Sequence, residues 1–275
     1  MVSIGTTWDG TSGFISDRFG AVLRIAVPLI FVPMALLGNL MPLVGRDATP
    51  ANIVFGLATL AMSIVTLWGN LALTALVIEP VDSSGAIRIG AARLPAKLLV
   101  AVIELGIVVV AAAPIFVAFA LGGIVPGQMP APGAMPTIAF GPAVFALVYS
   151  LFFTVLVLIL FARLLLVDPA LVAERRGVSA LPRSLRLTRG LTLKLVGVLL
   201  LYIIVSQVAT MATRTVFGTI LGLFALGAGP VNFATIITAI LVALVQTGFS
   251  ILAVIFAARL FVAVRDVREA VIELA

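Results

Sequence analysis

Cysteine and histidine are both absent from this sequence of 275 residues. Without them the chain has no disulfide, no thiol nucleophile, no imidazole for acid–base catalysis and no zinc site of the Cys/His type. Phosphate-binding and dinucleotide-binding glycine motifs are missing as well. The aspartates lie outside the long apolar segments, so paired intramembrane aspartates are not expected. We therefore predict that the chain is not an enzyme and holds no metal or cofactor.

Charge is also scarce: 10% of the residues are charged and 63% are hydrophobic, with a mean hydropathy of +1.31. A soluble domain is about one quarter charged, so this chain has too few polar residues to cover a surface in water. The composition predicts an integral membrane protein. The 17 basic residues against 11 acidic ones flank the apolar segments, which favours anionic lipid over nucleic acid as their partner.

Six apolar segments are long enough to span a membrane, since a helix crosses the hydrocarbon in about 20 residues. None shows the alternation of a transmembrane strand. The sequence predicts an all-α bundle of one domain, residues 1–275, with spans at about 19–43, 53–77, 98–122, 141–167, 191–211 and 233–264. Amphipathic or short apolar segments predict interfacial helices at about 6–18, 82–94, 179–189 and 215–227.

The basic residues predict the orientation of the bundle. If six spans place both termini in the cytoplasm, 15 of the 17 Lys and Arg residues lie on the inner side, and only Arg46 and Arg214 lie outside. Three segments that would face the cytoplasm, the N-terminal segment and two loops, carry similar small and basic residues before the next span. We therefore predict three helical hairpins, each introduced by a cytoplasmic amphipathic segment.

The most basic segment reads "ERRGVSALPRSLRLTRG" at residues 174–190. With Ser179 as its cap, a helix here would place Val178, Leu181 and Leu185 on one face, resting in the membrane surface. The plainest interpretation is a topology anchor; the alternatives are a site for a lipid headgroup or phosphate, or a docking surface for a partner. Nucleic-acid binding is not expected, because aromatic stacking residues are lacking. The candidate binding residues are Arg175, Arg176, Arg183, Arg186, Arg189 and Lys194.

Glu104 lies about six residues into the third predicted span, where a carboxylate needs a partner. Arg163 and Arg259 enter at similar depth from other spans, and Lys97 lies two turns back on the same helix. These four residues form a predicted intramembrane charge cluster. A structural ion pair that locks helices together is the favoured interpretation. The alternatives are a transport or proton-relay role, and simple snorkelling or burial of Glu104 in its protonated form.

The segment "LVDPALVAERRGVSALPRSLRLTRG" resembles the membrane domain of bacterial glycerophosphoryl diester phosphodiesterases and its relatives. The likeness implies a multi-pass module in the bacterial inner membrane, without the catalytic domain of the fused members, and it transfers no active site. The residues that carry it are Pro169, Glu174, Gly177, Ala180, Leu181, Arg183, Ser184, Leu187, Thr188 and Gly190.

These features together predict a non-catalytic membrane protein that binds the anionic headgroups of phospholipids at the cytoplasmic face. A membrane protein partner, or a second copy of the chain, is the other expected type of partner. The alternative function is transport of a small molecule or lipid by Glu104 with Arg163 and Arg259.

Overall fold

A computed structural model describes residues 3–40, 50–123, 139–223 and 232–273, and within these ranges every regular element is a helix. The elements are α1 (Ile4–Asp17), α2 (Phe19–Ala26), a π-helical turn (Val27–Phe31), α3 (Val32–Leu40), α4 (Pro50–Ile78), α5 (Ser83–Leu121), α6 (Phe140–Leu164), α7 (Val167–Ala173), α8 (Ala180–Leu187), α9 (Thr192–Gly222) and α10 (Phe233–Glu273).

Six of the helical segments are long and apolar enough to cross a membrane, which confirms the predicted all-helical fold with six spans. In three of them, those formed mainly by α5, α6 and α9, only 6% of the most apolar window is buried inside the protein. Their exposed surface is therefore apolar and suited to lipid. The spans are Phe19–Leu40, Asn52–Ile78, Ser83–Leu121, Phe140–Ala173, Thr192–Gly222 and Phe233–Val267.

Two predicted interfacial segments are not separate helices. Residues 82–94 belong to α5, which runs unbroken for 39 residues after its cap at Asp82. Residues 215–222 continue α9, and residues 224–227 lie outside the described residues. Helix α5 continues through Pro95, which has no amide to donate, and α9 contains no proline, so hydropathy changes along each helix while the helix continues.

The other two interfacial segments do form helices of their own. Helix α1 covers most of residues 6–18, and the Ser3 hydroxyl accepts a hydrogen bond from the Thr6 amide at its start. Helix α8 lies within residues 179–189 and is followed by Gly190 at φ +88, a left-handed conformation that suits glycine. Ser179, however, makes no capping hydrogen bond, because its own backbone is already in the helical region.

The first span contains a π-helical turn at Val27–Phe31, where the Val32 amide bonds to the Val27 carbonyl, five residues back. Pro28 lies in this turn and Pro33 follows it. Proline has no amide to donate, and wide turns of this kind commonly accommodate the missing bond. The turn is the local distortion that these two prolines predict.

Helix α4 is the centre of the bundle and approaches its neighbours closely. A Cβ at Gly90 of α5 would lie 2.8 Å from the Ala72 backbone nitrogen, and a Cβ at Gly69 would lie equally close to Leu29 and Ile30. The indole of Trp68 donates to the Ile87 carbonyl at 2.9 Å across the same contact. Glycine at position 90 lets α5 meet the backbone of α4, and glycine at position 69 lets α4 pack closely against side chains of the π-helical turn.

The buried core is concentrated at one end of the bundle, which we call the α8 end. It is formed by α2, the last turns of α4, α7, α8 and the second half of α10. The short helices α1, α7 and α8 cover this end. The largest fully buried side chains are Ile25, Ile30, Leu71, Leu73, Leu76, Leu166, Leu171, Leu187, Leu195, Ile255, Leu260 and Phe261.

Candidate functional site

Helix α7 is a short buried helix that carries an acidic residue at each end. Five of its seven residues are buried, and it packs against α4, α5, α8 and α10. Asp168 lies in its first turn and Glu174 is its C-terminal cap. A charge cluster forms around each of these carboxylates.

The first cluster joins α5 to α7 through a buried cation. The Lys97 ammonium, in a residue only 8% exposed, lies 2.6 Å from the Asp168 carboxylate and 3.6 Å from that of Glu104. Two acids therefore share one lysine. Within the described residues the ion pair of Glu104 is with Lys97, a member of the predicted cluster seven residues earlier on the same helix, and not with Arg163 or Arg259.

Sequence reasoning did not identify Asp168 as a member of this cluster. The bond that crosses between helices is the one from Lys97 to Asp168, so the helix-to-helix link predicted for Glu104 belongs to Asp168 instead. The signal that could have found it is an aspartate directly before Pro169 at the end of an apolar run. Such a residue begins a new helix at the membrane boundary, where a neighbouring lysine can reach it.

Arg163 and Arg259 serve other contacts at the α8 end. The Arg259 guanidinium lies 5.3 Å from the centre of the Phe14 ring, and Arg18 lies 5.8 Å from the same ring, so both cations pack against one aromatic side chain. The Nε atoms of Arg163 and Arg259 are buried without a hydrogen-bond partner among the described residues. Neither arginine forms an ion pair with Glu104 there.

The second cluster surrounds Glu174. One of its oxygens accepts a hydrogen bond from Nε of Arg183 at 2.8 Å, and the other lies 2.5 Å from Nε of Arg176. Both arginines thus use the inner nitrogen of the guanidinium group. Their terminal nitrogens make no hydrogen bond within the described part of the chain.

Hydroxyl groups fix α8 to the end of α6. The Ser184 hydroxyl donates to the Arg163 carbonyl at 2.7 Å, and the Thr188 hydroxyl lies 3.3 Å from the same oxygen. Both residues are fully buried, and the carbonyl belongs to the last turn of α6, where it has no partner inside its own helix. Helix α8 is therefore bound to the protein by buried polar contacts.

This docking changes the predicted orientation of α8. Leu181 is buried in the bundle, whereas Val178 and Leu185 are 40% and 36% exposed, so these three residues do not share one lipid-facing surface. The buried face of α8 carries hydroxyls as well as apolar groups, and the hydroxyls satisfy a free carbonyl of α6. Hydropathy alone does not identify such a face. The buried face consists of Ala180, Leu181, Ser184, Leu187 and Thr188.

The opposite side of α8 borders an open cleft of about 230 Å³, here called the arginine cleft. Three guanidinium groups and one carboxylate, that of Glu174, leave two positive charges in excess around it. Of the predicted binding residues, Arg175, Arg189 and Lys194 are exposed but do not line the cleft. The lining residues are Arg176, Ser179, Pro182, Arg183 and Arg186.

The cleft provides donors suited to a multiply oxygenated anion. Guanidinium groups bind phosphate and carboxylate through pairs of parallel hydrogen bonds, and the Ser179 hydroxyl lies beside them. Among the described residues no group of acidic side chains has the arrangement that holds a metal ion. The geometry of this site therefore fits an anionic group better than a cation.

The fold and the apolar surface define the class: the chain is a multi-pass integral membrane protein. Comparison with models of protein families, with curated proteins and with solved structures found no match for it. The particular function is accordingly argued from the site itself.

Proposed function

We propose that this protein is a non-catalytic membrane module that binds the phosphate of anionic lipids in the arginine cleft. The observation that carries the proposal is the use of Nε by Arg176 and Arg183 in their contacts with Glu174. That carboxylate holds both side chains in place while their terminal nitrogens stay available. Arg186, which also lines the cleft, adds a third guanidinium group.

The surroundings of the cleft favour a lipid as the source of the anion. Arg175, Arg189 and Lys194 are exposed at the same end of the bundle, and each basic residue near an anionic leaflet contributes about 1 kcal/mol. These residues would concentrate acidic lipids around the cleft, and the three arginines of the cleft would select a headgroup. In the predicted orientation 15 of the 17 basic residues lie on the inner side. We therefore propose that the cleft faces the cytoplasmic leaflet of a bacterial inner membrane.

Native mass spectrometry of the full chain in an uncharged detergent tests this proposal. Phosphatidylglycerol should bind more tightly than phosphatidylcholine, and R186Q should weaken phosphatidylglycerol binding by about tenfold, since a hydrogen bond to a charged group contributes about 1.5–3 kcal/mol. Arg186 is the preferred variant because it is exposed and holds no ion pair among the described residues.

The matched control is R88Q, which removes an exposed arginine of α5 that does not line the cleft. It should leave the binding of phosphatidylglycerol within twofold of the unaltered protein. Equal binding of both lipids, or equal losses in R88Q and R186Q, would contradict a defined headgroup site. A second protein retained in place of lipid would assign the cleft to a partner instead.

The alternative of transport through Glu104 with Arg163 and Arg259 has no supporting contact in the described part of the chain. Lys97 forms ion pairs with both Glu104 and Asp168, and Arg259 packs against Phe14. A proton relay needs a group that exchanges partners, and this cluster instead joins α5 to α7. We therefore propose a structural role for it.

A further inference from the structure

A second polar cavity lies at the opposite end of the bundle from α8. Its volume is about 990 Å³, and α3, α9 and α10 form its walls. Arg214 lines it, 20 residues beyond Lys194 on the same helix, which is a distance of roughly 30 Å along the axis. We propose that this cavity, here called the Arg214 cavity, is a binding site for a phosphate ester.

The polar groups of the cavity come from two helices. Arg214 of α9 supplies a cation, and Gln246 of α10 supplies an amide; both side chains are exposed. Thr238 of α10 is 91% buried, at 9% relative exposure, and its hydroxyl has no hydrogen-bond partner among the described residues. A buried hydroxyl without a partner costs free energy unless a ligand or water satisfies it.

Two other polar residues of the cavity are already committed to the fold. The Asn232 side chain accepts a hydrogen bond from the Thr235 amide at 2.9 Å, and the Thr235 hydroxyl donates to the Asn232 carbonyl at 2.8 Å. They cap the start of α10. The groups left for a ligand at the cavity surface are therefore the Arg214 guanidinium and the Gln246 amide, since the Thr238 hydroxyl has almost no exposed surface.

These two donors define the chemical class of the ligand. A guanidinium and an amide together suit an anion with several oxygens, as in a phosphate ester, because each group donates to a different oxygen. The remaining wall is apolar, with Met34, Leu37 and Val242. A cavity of this volume is far larger than a phosphate ion and has the size of sites for drug-sized ligands, so an apolar part of the same molecule is expected to lie against that wall.

The space itself is kept open by glycine. Gly222 lines the cavity, and a Cβ there would meet no atom within 4 Å, so we expect a larger side chain at this position to occupy part of the cavity. At Gly218 the nearest atom would be a Thr238 methyl carbon at 3.9 Å. Filling the cavity from Gly222 is therefore a test of binding that leaves the packing of α9 against α10 unchanged.

Two probes distinguish the possible sources of the phosphate. The binding of both is measured in the R186Q variant, so that the arginine cleft does not contribute. Glycerol 3-phosphate, titrated by calorimetry, represents a soluble ester, and phosphatidylglycerol, measured by native mass spectrometry, represents a lipid. Binding of the first assigns the cavity to soluble esters, and binding of the lipid alone assigns it to headgroups. Both results support the site if they depend on the cavity.

The variants R214Q and G222L measure that dependence. Each should weaken the binding of the probe by about tenfold. The matched controls are R88Q, an exposed arginine elsewhere, and G197L, a glycine of the same helix whose added Cβ would also meet nothing within 4 Å. Both controls should bind as the parent does. G222L keeps the test valid if R214Q does not fold.

Binding of neither probe, or binding that R214Q and G222L leave unchanged, would overturn the proposal. The inference does not rest on the arginine cleft. R186Q without effect on lipid binding, together with losses in R214Q and G222L, would reject the proposed function and keep the Arg214 cavity. A loss of lipid binding in R186Q, without losses in R214Q and G222L, would reject the Arg214 cavity and keep the proposed function.

Discussion

Lys97 shows how a single charge is made stable inside this bundle. A buried ammonium is costly unless it is paired, and here it meets two carboxylates from different parts of the chain. Asp168 is the closer partner by 1.0 Å, the difference between 2.6 Å and 3.6 Å. The free energy of the cluster should therefore depend more on Asp168 than on Glu104.

We predict that K97M lowers the stability of the protein by about 3 kcal/mol, because it leaves two carboxylates without their cation. D168N should cost more than E104Q, in the order of the two distances. The double variant K97M/D168N should regain part of the loss. Thermal melting of the purified protein in detergent compares the stability of these four variants. An equal effect of D168N and E104Q would contradict the predicted order of their costs.

At the residue scale the sequence predicts that Glu104 needs a partner but not which one. Two arginines at similar depth and a lysine two turns back on the same helix were available, and the choice depends on helix positions in three dimensions. Asp168 is 71 positions from Lys97 in the chain, so no local pattern connects them. The short helix α7, which brings them together, is itself part of an apolar run that reads as the end of a span.

Among the elements, α8 is the helix whose attachment can be tested most directly. S184A removes the hydroxyl that donates to the Arg163 carbonyl and should lower stability by about 1–2 kcal/mol, because it leaves a buried acceptor with a weaker partner. T188V should act in the same direction. The control is S179A, since the exposed Ser179 makes no capping bond.

Melting curves in detergent compare these three variants, with S179A expected to match the unaltered protein. A loss in S179A as large as that in S184A would show that α8 is fixed by its cap and not by α6. If S184A also lost lipid binding while Arg186 is unchanged, this would show that the docking of α8 against α6 positions the arginine cleft.

The start of α5 gives a prediction about pH. The amide of Gly85 and the hydroxyl of Ser84 donate to the Asp82 carboxylate, and these bonds lower the pKa of Asp82 below its ordinary value of 3.8. A depressed pKa means that the cap stabilises the protein at neutral pH and that this contribution is lost as the pH falls below about 3.8 through the lowered pKa.

D82A should therefore melt below the unaltered protein at pH 7, and the difference should shrink as the pH is lowered below 3.8. D82N keeps a good capping side chain without a titrating group, so its melting temperature should change less over the same range. A difference between D82A and the unaltered protein that stays constant from pH 7 to acid would show that the carboxylate charge does not contribute.

The bounds of the helices were harder to predict than the number of membrane spans. The six apolar runs give six helices, because about 20 apolar residues suffice to define a span. The extension of α5 back to Ser83 and of α9 to Gly222 depends on backbone hydrogen bonding, which continues through residues of any polarity. For α8 the prediction of a helix was met, but its buried face depends on a carbonyl of α6 that no local pattern reveals.

For the molecule as a whole, the core at the α8 end and the two polar sites at opposite ends follow from how the helices assemble. Composition predicts the membrane, and basic residues predict an orientation. The placement of Arg214 in a cavity was not predicted, because its three walls come from α3, α9 and α10. Only the packed bundle brings those segments together.

The orientation can be tested with single cysteines, since the chain contains none of its own. We predict that G13C in α1 and S179C before α8 face the cytoplasm, while L223C, after α9, faces the other side. All three positions are exposed, and a Cβ at Gly13 would meet nothing within 4 Å. A maleimide that cannot cross membranes should label L223C in spheroplasts, and the other two only after permeabilisation.

The pattern of labelling separates the two parts of this prediction. Labelling of G13C and L223C from opposite sides requires an odd number of crossings between them, as five spans from Phe19 to Gly222 provide. If S179C were labelled in intact spheroplasts and L223C were not, the bundle would be inverted. The arginine cleft would then face away from the cytoplasmic leaflet, and its basic surroundings would require a different source of anions.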